Sequence, residues 1–179
     1  MKKILLLIIL LLALTGCGSN TAKNAVESYL KKYRNLDSEV LVDLENQVKI
    51  ENLTNEQEEK YRDILKKQYK DLSYEIIEEE YDNDMSYVTV KVSVYDLYKA
   101  QSDASNYLTN NPEAFYNDEN QYDVNEYIDY KLEEMKNMID RVEYTIVFTV
   151  TKENDKYVVE QPTENDLEKI HGIYNYEMD

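Results

Sequence analysis

Apolar and polar positions alternate with two different periods along this chain. Ala22, Ala25, Val26, Tyr29, Leu30 and Tyr33 recur at three- and four-residue intervals and predict an amphipathic helix ending near Asn35. A weaker helical pattern carries Val40, Leu41, Leu44 and Val48. A third follows through Tyr61, Ile64, Leu65 and Tyr69, with Asn55 as the expected N-cap and Glu58 three residues on. From Leu72 the period becomes two. Leu72, Tyr74 and Ile76 alternate, the phase slips at Ile76-Ile77 as a bulge requires, and Asp82-Asn83-Asp84 supplies turn chemistry. Val88, Val90, Val92 and Val94 then point one way while Tyr87, Thr89, Lys91, Ser93 and Tyr95 point the other. Leu97, Ala100, Ala104 and Leu108 predict a short helix, Thr109 to Asp123 a polar loop broken by Pro112, and Val124 through Ile139 a strong amphipathic helix. Val142, Tyr144, Ile146, Phe148 and Val150 form a third strand, turned by Glu153-Asn154-Asp155 into a fourth at Tyr157 to Glu160. Thr163 with Asp166 opens a last short helix, and the residues from Tyr174 onward have no evident anchor. The order predicts an α+β fold: N-terminal helices packed on a curved antiparallel sheet of about four strands.

The N-terminus reads differently. Lys2 and Lys3 precede an apolar run from Ile4 to Leu14, which closes on Leu14-Thr15-Gly16-Cys17. A basic start, a short apolar middle and small residues at the end are the parts of a signal peptide. The run of 11 residues is too short for a spanning helix, which takes roughly 20. LTGC resembles the lipobox of bacterial lipoproteins. That resemblance implies a diacylglyceryl group on Cys17, cleavage just before it, and an anchor on the extracytoplasmic face of the cell membrane. The domain expectation is a signal peptide over 1–16, lipidated Cys17 and a short tether over 17–20, one extracytoplasmic domain over 21–174 and a tail over 175–179. A tether of this length reaches only about 10 to 15 Å.

Element order behind a lipobox is similar to small lipoproteins of low-GC Gram-positive bacteria whose domains belong to the nuclear-transport-factor-like, or cystatin-like cone, superfamily. The likeness covers about residues 21–170 and implies a cone-like sheet with a pocket between sheet and helices, where enzymes of that superfamily place an acid or base. On the two clearest strands the apolar phase holds only Val, Ile, Phe and Tyr, so the residues themselves look like packing and not like a catalytic floor.

Composition narrows the chemistry. The chain has 179 residues and three glycines, and none of these falls between Ser19 and His171. That excludes a glycine-rich phosphate loop. One Cys and one His cannot build a four-ligand zinc site, and no disulfide can form within the chain. No cofactor or metal is expected. The net charge of -17 argues against nucleic acid as a partner. Removing residues 1–16 takes away two lysines and no acids, so the processed chain is more acidic, at -19. Two acidic stretches, Asp82 to Asp84 and Asn117 to Asp123, offer oxygen atoms but lack the glycine and terminal Glu of an EF-hand loop, and read as solvated turns. His171, beside Gly172, reads as a helix-end residue set against the dipole.

Eighteen tyrosines stand beside two phenylalanines and no tryptophan. About half lie on apolar stripes as bulky core. Tyr87, Thr89, Lys91 and Tyr95, with Thr145 and Thr149 across the sheet, form a candidate binding face if the two strands are neighbours, because a Tyr ring is apolar and its hydroxyl polar. An exposed face without a ligand accounts for the same pattern. The functional expectation is therefore a membrane-anchored, non-enzymatic binding domain with a protein or cell-envelope partner. The alternatives are an immunity or inhibitor lipoprotein against a basic toxin or hydrolase, and a small-ligand carrier or pocket enzyme of the cone type.

Overall fold

The computed structural model describes residues 20–178; the signal segment, Cys17 and Asp179 lie outside the described residues. Three helices come first: α1 (Ala22–Asn35), α2 (Ser38–Ile50) and α3 (Asn55–Lys70). The strands β1 (Ser73–Asp82) and β2 (Met85–Tyr95) follow, then α4 (Leu97–Asn110), a short 3-10 turn (Pro112–Phe115) and α5 (Val124–Asn137). The chain returns through β3 (Arg141–Glu153) and β4 (Lys156–Val159) and ends with α6 (Glu164–His171) and a second 3-10 turn (Tyr176–Met178). The four strands form one open antiparallel sheet in the order β1-β2-β3-β4, and the fold is α+β.

Helix starts follow local capping. Thr21 accepts from the Asn24 N–H and Thr163 from the Asp166 N–H. The third helix starts one residue earlier than the pattern predicts. Thr54 accepts from the Gln57 N–H, and the Gln57 side chain returns the bond to the Thr54 N–H, closing a capping box in which Gln57 takes the part expected of Glu58.

The alternating phase of β2 is the core phase: Val88, Val90, Val92 and Val94 are fully buried. They face Phe148, Ile146, Tyr144 and Val142 across the β2–β3 ladder. The phase slip in β1 is a bulge between Ile76 and Glu78, which turns Ile77 out to solvent. Helix α1 lies against β2, β3 and β4, while α3 packs on α1, α2, α5 and α6. Tyr29, Tyr33, Tyr69 and His171 form a chain of rings between the layers, with successive centroids 5.6, 5.2 and 5.5 Å apart.

Backbone with positive φ would ordinarily be given to glycine, which the domain nearly lacks. Asparagine takes most of these positions: Asn52, Asn83, Asn120 and Asn154 all have φ between 48° and 61°. Asn154 and Asp155 together make the two-residue turn between β3 and β4.

The C-terminal residues are anchored, contrary to the sequence expectation. Tyr174 is buried against Tyr144, Tyr176 stacks edge-on with Tyr98 at 4.9 Å, and the Tyr176 hydroxyl donates to Asp96 at 3.1 Å. These contacts join residues 30 to 80 positions apart, so no local periodicity announces them.

Candidate binding surface

The register places the candidate residues side by side on the sheet face that turns away from the core. Tyr87 lies opposite Thr149, Lys91 opposite Thr145, and Tyr95 opposite Arg141, with Thr89 opposite Val147 between them. All six candidates are half-buried or exposed. Val147 is 52% exposed, so the centre of the face has an apolar spot ringed by hydroxyl groups. Lys91 pairs with Glu143 at 3.6 Å, a contact in solvent that contributes little stability.

Tyr95 stands apart from the other five. Lys67 and Arg141 lie 4.6 and 4.9 Å from its ring centre, and its hydroxyl donates to Asp71 at 2.9 Å. That hydrogen bond to a carboxylate, with partial burial behind it, raises the pKa of the phenol. Its ring is already engaged by two cations, so its part is to lock α3 to the sheet end. Tyr87, Thr89, Lys91, Thr145 and Thr149 remain as an accessible patch.

On the face itself a shallow cleft of about 210 Å³ is lined by Ser73, Tyr74, Glu75, Lys91, Ser93 and Glu143. The space between sheet and helices is filled by the valine row, Leu30, Tyr33 and Tyr69, and a gap of about 10 Å³ lies among Leu53, Tyr61, Leu132 and Met135. A larger cleft of about 750 Å³ is an open groove at the sheet edge between α1 and β4, and its one carboxylate, Glu27, pairs with Lys31 at 3.5 Å. Asp96 is a buried carboxylate, but it caps α4 through the Lys99 N–H and receives the Tyr176 hydroxyl. Among the described residues no group of three or more His, Cys, Asp or Glu is placed to hold a metal ion. In the Asn117 loop the Asn117 side chain accepts from the Glu119 and Gln121 N–H groups, which is turn chemistry turned inward on the backbone.

His171 requires a correction. It ends α6 as expected but is buried, and its Nδ1 lies 2.9 Å from the Tyr69 hydroxyl. Burial lowers its pKa to about 4, so the ring is neutral at pH 7 and makes no charge–dipole interaction. Gln68, fully buried beside it, donates to the carbonyls of His171 and Tyr95 and accepts from the Tyr95 N–H. The imidazole is a packed structural group.

A second surface was not singled out by the sequence pattern. From Ala100 to Tyr130 the chain carries seven carboxylates and neither Lys nor Arg. This stretch is most of the lobe made by α4, the first 3-10 turn and α5. Phe115 is buried at its centre, edge-on to Tyr107 and Tyr127 and 5.5 Å from Tyr130. Tyr107, Tyr116, Tyr122 and Val124 are exposed around it. The gap between Lys99 and Lys131 in the distribution of cations was the available signal.

No protein-family model, no curated protein and no solved structure matches the chain. No described helix is long and apolar enough to cross a membrane.

Proposed function

We propose that the protein is an extracytoplasmic lipoprotein, held at the cell membrane by a diacylglyceryl group on Cys17, whose α+β domain binds a protein or cell-envelope partner. The observation that carries the anchoring is the sequence Leu14-Thr15-Gly16-Cys17 at the end of a basic-then-apolar leader. The resemblance to cone-superfamily lipoproteins belongs to this same proposal. The binding role is supported by the accessible Tyr/Thr patch on β2 and β3 and by an interior occupied by packed side chains where a pocket enzyme would hold substrate. Two acyl chains give stable attachment where one is marginal. Replacing Cys17 by Ala is expected to leave a larger, unlipidated precursor and to remove labelling by radioactive palmitate; continued labelling of the variant refutes the anchor.

The inhibitor reading keeps one specific support, the concentration of unpaired carboxylates in the α4–α5 lobe, which would speed encounter with a basic target. Capture of the partner at low and at high salt separates the readings. A partner retained unchanged at high salt counts against charge-driven inhibition.

A further inference from the structure

We propose that the α4–α5 lobe is a docking surface for a cationic protein segment, one that presents Arg or Lys to exposed tyrosine rings inside a one-sign field. The inference rests on the reading of the chain as a partner-binding domain and names the surface and the chemistry of the partner. Three features of the lobe support it together.

The first is exposed aromatic area. Tyr107, Tyr116 and Tyr122 are 42%, 41% and 48% exposed and Val124 is 51% exposed, so that the lobe gathers four exposed apolar side chains within eighteen residues of chain. The second is rigidity. Tyr116 and Tyr122 are held across from each other by a β-bridge, Asn117 N–H donates to the Gln121 carbonyl at 2.8 Å, and Asp123 N–H donates to the Phe115 carbonyl at 2.8 Å. Phe115 pins the loop from beneath. A surface already ordered loses little conformational entropy on binding.

The third is charge, which selects the occupant. Asp103 and Asp129 pair with Lys99 and Lys60 at 2.6 and 2.7 Å, both of which lie outside the cation-free stretch. Glu113, Asp118, Glu119 and Glu126 have no cationic partner among the described residues. A second copy of the lobe would bring carboxylate against carboxylate, and an anionic membrane surface would repel it. A cation over a tyrosine face is the arrangement that this protein already uses at Tyr95, with Lys67 and Arg141.

The test uses the processed full chain on uncharged phosphatidylcholine vesicles, and as probe a fluorescent twelve-residue peptide of alternating Arg and Ser. Two charge-matched variants are compared: Asp118→Asn with Glu119→Gln and Glu126→Gln in the lobe, and Glu75→Gln with Glu78→Gln and Glu80→Gln on β1. Glu79 is left alone because it accepts from the Lys23 N–H at the start of α1. The lobe variant is expected to lose about tenfold in affinity and the β1 variant less than about threefold. Tyr116→Ser with Tyr122→Ser, which changes no charge, is expected to lose about threefold or more. Equal losses in the two charge-matched variants, or full affinity in the tyrosine variant, overturn the proposal. Far-UV circular dichroism confirms that each variant is folded. A chain that fails to float with the vesicles refutes the anchor alone, since peptide binding is read in solution as well.

Discussion

Gly172→Ala is expected to lower the stability of the domain by about 3 to 5 kcal/mol, a large fraction of the 5 to 15 kcal/mol typical of a folded domain. Gly172 caps α6 with φ of 75°, and its N–H closes onto the Lys169 carbonyl. An alanine there would carry about 1 to 2 kcal/mol of backbone strain from the left-handed conformation alone. The larger part is steric. A Cβ at this position would overlap the Gln68 amide and the Tyr95 carbonyl, and the second of these is backbone and cannot turn aside. Displacing Gln68 would open its bonds to the Tyr95 N–H and to the Tyr95 and His171 carbonyls, and an unsatisfied buried polar group costs about 1 to 3 kcal/mol. The check is the midpoint of urea unfolding, expected to fall by roughly 2 M at the slopes usual for small domains. Gly172→Asn separates the two causes. Asn is comfortable at positive φ but has the same Cβ, so it is expected to behave nearly as badly as Ala. A near-native Asn variant would show that strain, and not the close approach, makes glycine necessary.

That one glycine shows both how far the sequence could be read and where the reading stopped. Its isolation is plain in the composition, yet its reason lies in Gln68 and Tyr95, about a hundred and just under eighty residues before it and brought together only by the packing of α3, β2 and α6. The valine row of β2 was legible because a period of two translates directly into burial on one face. The same arithmetic placed Tyr87, Thr89, Lys91, Thr145 and Thr149 on a common face once β2 and β3 proved to be neighbours. It could not show that Lys67 and Arg141 engage the Tyr95 ring, since those cations come from α3 and from the start of β3. Helix ends were less readable than helix faces. The stripe of α5 continues in sequence to Ile139, but the helix stops at Asn137, Met138 turns extended, and Ile139 stands 79% exposed. Within the supposed polar loop, Phe115 is a buried anchor, because a single aromatic among polar residues has no period to reveal it. Asparagine in the turns conceals the left-handed positions in a similar way, since readers of sequence look for glycine there.

Mild acid is expected to destabilise the domain through His171. The unfolded imidazole titrates near 6.5, whereas burial holds the folded one at about 4. Between those values the unfolded chain binds the proton more readily than the folded one, so stability falls as pH falls. The contribution is fully present above pH 6.5 and is lost progressively as pH falls toward 4; over the whole window it amounts to roughly 3 kcal/mol. The mechanism lies in the surroundings of the ring. Nδ1 faces the Tyr69 hydroxyl, burial raises the pKa of that phenol, and so neither partner readily takes charge inside the layer. Carboxylates held by cations, such as Glu45 against Arg62, also lose stability in acid, but they have lowered pKa values and act at the acid end of the range. Glu168, on the same helix, has a pKa raised by burial and acts in the opposite sense, so the histidine is read from the difference between the native and His171→Gln slopes of urea midpoint between pH 6.5 and 5. His171→Gln keeps a polar side chain that can meet the Tyr69 hydroxyl and cannot titrate, so its stability at pH 7 is expected to be lower while its slope in this window is close to flat. The native chain should approach a slope of about 1.4 kcal/mol per pH unit at the lower end of the interval. An identical slope in both proteins would mean that His171 takes its proton without opening the core, and the assignment of the imidazole as a neutral packed group would fall.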